Sequence, residues 1–115
     1  RVQTLNLTKA DLEQHYLLRL VLVQTISHDQ RVSGVVRLNI DGLRGGEPAR
    51  LGSDEVLIDG ESNDIPYAFR YFQGLQRELV LPADFEPSQV NVEIWPQESG
   101  GQQILHNYDW SAVTS

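Results

Sequence analysis

The stretch Val32-Ser33-Gly34-Val35-Val36-Arg37-Leu38-Asn39-Ile40 decides the fold class. Val32, Val36, Leu38 and Ile40 share one side of a two-residue repeat, and Ser33, Val35, Arg37 and Asn39 take the other. A helix would need apolar spacing of three to four, so this segment reads as a half-buried strand. The same period recurs on both sides of it. Val90, Val92 and Ile94 alternate with Asn91, Glu93 and Trp95, and Ile104, His106, Tyr108 and Trp110 with Leu105, Asn107 and Asp109. Ile65, Tyr67, Phe69 and Tyr71 give another alternating face, Leu79 and Leu81 a short one, and Val2, Leu5 and Leu7 a weaker start. Tyr16 to Thr25 differs, being apolar on both faces and rich in Leu and Val. That is the pattern of a central strand covered on both sides.

Turn residues divide these runs at short intervals. His28-Asp29-Gln30 follows the second strand, Arg44-Gly45-Gly46-Glu47 the third, and Gly100-Gly101 precedes the last. Gly74 separates the aromatic strand from Glu78–Leu81, and Pro82 and Pro87 bracket Ala83-Asp84-Phe85-Glu86 as a loop. Seven or eight strands on short loops predict an all-β fold: an antiparallel, immunoglobulin-like β-sandwich. Around Thr8-Lys9-Ala10-Asp11 the reading stays open between a short helical turn over residues 9–15 and a polar connection between strands. No repeat or linker interrupts the chain, so residues 1–115 read as one domain.

Composition removes several functions. The chain has 115 residues, no cysteine and a formal charge of −7. Without thiols there is no disulfide, thiolate zinc site, iron–sulfur cluster or Cys nucleophile. An acidic surface repels nucleic acid and anionic lipid, which need basic partners. After Arg77 the sequence has no further Lys or Arg, and between Asp54 and Asp64 five acids occur with no base. No run approaches the length of a membrane span. A sequence that opens on Arg1 with no methionine reads as a fragment or processed product of a longer chain.

Catalytic motifs are weak. His15, His28 and His106 are far apart in sequence, so no metal site is expected. Asp59-Gly60-Glu61-Ser62-Asn63-Asp64 has calcium-loop character, but Asp64 and Arg70 stand where an EF-hand needs Gly and Glu. A mobile acidic hairpin explains residues 54–64 as well. Ser27, His28 and Asp29 are triad residue types, yet consecutive turn residues cannot form the relay. Gly45-Gly46 lacks phosphate-loop context, and Asn6-Leu7-Thr8 is a glycosylation sequon inside a strand. The expectation is a non-enzyme with no cofactor.

The densest feature is Tyr67-Ala68-Phe69-Arg70-Tyr71-Phe72-Gln73. With Tyr67, Phe69 and Tyr71 inward, Arg70 and Phe72 project outward, as does Trp95 opposite Val92 and Ile94. Arg70, Phe72 and Trp95 together have the composition of a protein-binding hot spot. The competing reading is that a loop covers Phe72 and Trp95, and that Arg70 pairs with a cross-strand acid such as Glu93. A carbohydrate-binding alternative, for glycan strands of a cell wall, would need coplanar exposed aromatics, with Trp95, Trp110 and Tyr108 as candidates.

Tyr67–Gln73, Glu78-Leu79-Val80-Leu81-Pro82, Phe85-Glu86-Pro87 and Val90-Asn91-Val92 follow one another in order. With Val32-Ser33-Gly34-Val35 and the Gly42, Gly45/Gly46 and Pro48-Ala49 spacing, the chain resembles the C-terminal β domain of a proteobacterial family of unknown function. Its members are membrane-anchored, with a transmembrane helix and a coiled coil upstream. The resemblance implies a position at the periplasmic face of the bacterial inner membrane and oligomerisation through the coiled coil. It also implies a scaffold role in cell shape or wall organisation, with a bactofilin or a cell-wall hydrolase as partner. No site residues are carried by the resemblance, since the shared motifs are structural.

Overall fold

The computed structural model describes residues 2–24, 31–57, 64–97 and 103–114. These form eight strands: β1 (Val2–Lys9), β2 (His15–Val23), β3 (Val32–Arg44), β4 (Glu47–Gly52), β5 (Ile65–Phe69), β6 (Phe72–Val80), β7 (Phe85–Pro96) and β8 (Ile104–Asp109). Two single-turn helices join them, α1 (Ser53–Val56) and α2 (Trp110–Val113). All strand pairs are antiparallel. One sheet has the order β1-β2-β6; the other runs β4-β3-β7-β8, with β5 also on β3. This is the distribution of strands A, B, E and C′, C, F, G in an immunoglobulin-like sandwich, except that the fifth strand leaves the sixth for the third. The all-β sandwich read from the sequence is the fold observed.

Period-two burial follows directly from the pattern. Leu18, Leu20 and Leu22 face Val36, Leu38, Ile40, Val90, Val92 and Ile94 in one shared core. The sheets are also laced at their sides. Leu57 bridges Leu79 on one flank, and Leu7 bridges Thr114 on the other. Gln73 accepts a hydrogen bond from the Ala68 amide at 2.8 Å, tying β6 to β5 across the corner.

β3 is the spine. β7 follows one edge of it from Gly34 to Arg44, with a bulge beside Gly42. On the other edge β5 covers 32–36 and β4 covers 39–44, leaving a gap at Arg37–Leu38. Ser53, at the start of α1, fills that gap. Its buried hydroxyl accepts from Leu38 N–H at 2.8 Å and donates to Leu38 C=O at 3.1 Å. One side chain thus stands in for a missing strand, because buried backbone groups must be paired.

Several local expectations change. Residues 9–15 contain no helix: β1 ends at Lys9 and the chain turns through 11–14 into β2. Gln14 is left-handed there (φ 64°) and is held by its side chain, whose Nε2 donates to the carbonyls of Pro82 and Phe85. Tyr71 does not continue the inward face of Phe69, since the strand stops and the chain crosses between sheets at Arg70–Tyr71. Gly74 lies inside β6 and separates no strands. Phe85–Pro87 belongs to β7, with Pro87 placed where the bulge tolerates a missing N–H. Trp110 opens α2 and meets Tyr16 edge-to-face at 5.1 Å. The Gly45-Gly46 hairpin is as expected, with φ of 60° and 83° as a two-residue primed turn requires. The turn at 28–30, the Ser27-His28-Asp29 triplet, residues 59–63 of the acidic loop and Gly100-Gly101 lie outside the described residues.

Replacing Ser53 with Ala leaves both polar groups of Leu38 buried and unpaired. The expected loss is about 2–4 kcal/mol, seen as a lower urea midpoint with an unchanged slope.

Candidate interaction surface

The two outer faces of the sandwich differ in kind. On the five-stranded sheet, alternation turns Arg37, Asn39 and Asp41 of β3 outward, beside Asn91, Glu93 and Trp95 of β7. These side chains satisfy one another. Arg50 donates to Asp41 at 2.6 and 3.0 Å, and Asn91 donates to the same carboxylate at 2.8 Å. Asn39 and Gln103 donate to the two oxygens of Glu93 at 2.8 and 3.0 Å. Arg37 donates to Asp64 at 2.5 Å while its guanidinium lies 5.1 Å from the Trp95 ring centre. The Arg50 hydrogen bond holds the Asp41 carboxyl below its usual range, against partial burial and with the help of Asn91.

The three-stranded sheet has the opposite character. Its outward rows are Val23/Phe72, Val21/Gly74, Arg19/Gln76, Leu17/Glu78 and His15/Val80. Leu17, Val21 and Val23 are only half-buried, and Phe72 is 69% exposed. β2 therefore has the doubly apolar sequence of a covered strand, yet no described element lies over its outer side. A concavity of about 420 Å³ adjoins one end, lined by Arg31, Phe69, Arg70, Tyr71 and Phe72. At the other end a recess of about 490 Å³ includes Leu12, His15, Leu17 and Glu78. Leu12 and Tyr71 extend the apolar stripe, at 65% and 56% exposed.

The three hot-spot candidates are not brought together. Arg70 and Phe72 share the first concavity, whereas Trp95 stands on the outer face of the other sheet. Phe72 begins β6 rather than continuing the strand of Tyr67 and Phe69. Glu93 is engaged by Asn39 and Gln103, and the Arg70 carbonyl accepts from Gln24 Nε2 at 2.7 Å. The aromatic set suggested for glycan stacking is also divided. Tyr108 pairs with inward-facing Val90, and burial raises the pKa of its hydroxyl, while Trp110 packs on Tyr16. Among the described residues no group of three His, Asp or Glu side chains is arranged to hold a metal ion.

Sequence reasoning missed Leu17, Val21, Val23 and Gly74 as surface. The signal was present in the doubly apolar β2, but alternation cannot say whether a second cover is supplied by the same chain.

Asp41→Asn is expected to lower stability by about 1–2 kcal/mol at pH 7, because an amide has one acceptor oxygen where the carboxylate has two, so Arg50 and Asn91 can no longer both be served and the charge facing Arg50 is lost. Because the folded Asp41 pKa is depressed, its contribution is complete above the ordinary carboxylate pKa and disappears as pH falls through the lower folded value. Urea titrations of both proteins at pH 7 and near pH 2 should show the difference shrinking in acid.

Comparison with known proteins adds a family but no described relative. No curated protein and no solved structure matches the chain significantly. A family model matches residues 1–92, from β1 into β7, covering the whole apolar face of the three-stranded sheet. The chain belongs to the family of unknown function DUF6776.

Proposed function

We propose that this chain is a non-catalytic protein-interaction domain, acting as a scaffold element of a membrane-anchored protein at the periplasmic face of a bacterial inner membrane. One observation carries the interaction reading. β2 bears apolar side chains on both faces, while the core covers only one of them. Exposed apolar surface of this kind, rimmed by Thr4, Asn6, Gln76 and Glu78, is characteristic of association sites. The rigid sheet also limits the ordering entropy that binding would have to overcome. The periplasmic setting, and an envelope partner of the bactofilin or wall-hydrolase type, are supported by the motif resemblance of residues 67–92.

Phe72→Ala in the full-length protein should abolish cross-linking to its partner in cells while shifting the melting temperature by no more than about 2 °C, since the side chain is largely solvent-exposed. Trp95→Ala, on the other outer face, should leave the cross-link intact. Unfolding of the Phe72 variant, or retention of the wild-type domain on insoluble peptidoglycan with no protein partner, would refute this reading.

A further inference from the structure

We infer that two copies of this chain associate through the outer faces of their three-stranded sheets, β2 of each lying over β6 of the other about a two-fold axis parallel to the strands. The inference rests on the interaction reading of this face and makes its direct occupant, the protein that Phe72 contacts, a second copy of this chain, with an envelope protein engaging the assembled dimer.

Charge is the first argument. The chain carries −7 overall, yet the outward positions of β1, β2 and β6 hold one cation, Arg19, and one anion, Glu78. An acidic molecule can meet its own copy through such a neutral face without like-charge repulsion. Neither Arg19 nor Glu78 makes an ion pair within the chain among the described residues.

Register is the second. An axis midway between β2 and β6 preserves position along the strands, so each outward residue of β2 meets the β6 residue of its own row on the other copy. Val21 then lies over Gly74, where a Cβ would have nothing within 4 Å, so a knob meets a hole. Val23 meets Phe72. Arg19 meets Gln76, with Glu78 one row farther along, offset by about 7 Å along the strand, so that the two long side chains can reach each other across the gap. Three central and upper rows thus complement themselves across the axis, as an isologous interface requires, while Leu17 meets Glu78 and His15 meets Val80 at the far end. Aligned packing at ~10 Å is the usual arrangement of two such sheets.

Area sets the strength. On this axis β2 and β6 of each copy overlap while β1 lies outside, so the contact spans roughly 30 by 10 Å of sheet, well below the ~800 Å² per partner of a standard interface. The dimer is therefore expected to be reversible, in the micromolar range.

Sedimentation equilibrium of the 115-residue chain from about 1 to 500 µM, a range that brackets micromolar dissociation, tests the inference. The wild type should rise from monomer to dimer mass. Gly74→Thr fills the recess but suits a strand and meets open space, so it should keep or raise the melting temperature while remaining monomeric. Arg19→Glu and Glu78→Arg should each weaken the dimer at least tenfold, and the double exchange should recover most of the loss. A wild type that stays monomeric throughout, or a Gly74→Thr protein that dimerises as well as wild type, overturns the dimer. If the purified chain is monomeric and Phe72 still cross-links to a different protein in full-length form, the dimer falls and the interaction reading stands. If there is neither dimer nor cross-link, both fall.

Discussion

The structure depends on keeping both backbone edges of one long strand satisfied. β3 runs thirteen residues through the centre of the larger sheet, and its middle, around Val36, Leu38 and Ile40, is buried, so the backbone groups there need partners within the protein. β7 provides for one edge. The other is shared by β4, β5 and the hydroxyl of Ser53 between them. This division lets the chain turn away after β4, form α1, and return as β5 on the same edge. Gly34 and Gly42 belong to the same constraint: a Cβ at either would collide with the backbone of β7. Close approach of β3 and β7 is thus specified by absent side chains as much as by present ones.

From this spine the contrast between the two outer faces follows. The larger sheet is broad enough to carry cross-strand rows of polar residues that pair with one another, from Arg50 and Asp41 to Arg37 and Asp64. Desolvating them would break contacts already made, so that face is poorly suited to burial. The smaller sheet has three strands, and its central strand contributes Leu17, Val21 and Val23 outward. Burying those side chains removes apolar surface from water, and none of them carries a polar group that would have to be desolvated. Which face is suited to association is therefore decided by which face is already satisfied.

The crossing at Arg70–Tyr71 connects the two. There the chain leaves the β3 sheet and enters the β2 sheet, so Phe69 points into the core while Phe72 points to solvent. Gln24 clamps the crossing, its backbone N–H reaching the Tyr71 carbonyl at 3.1 Å and its side chain that of Arg70. A break of phase at a sheet corner is invisible to alternation, because Tyr67 to Phe72 reads as a continuous aromatic strand. The same blindness joined Trp95 to Phe72 as one patch when they belong to different sheets.

Sequence alone determined the strand class, the inward sets of β3 and β7 and the Gly45-Gly46 turn, because side-chain alternation and positive φ are local properties. It also determined the limits set by charge and by the absence of cysteine. Tertiary structure decided which strands share a sheet, where Ser53 closes the β3 edge, and that β2 is covered on one side only. Those depend on contacts between residues far apart in the chain, such as Leu38 with Val92 or Leu20 with Leu75, which no local period encodes.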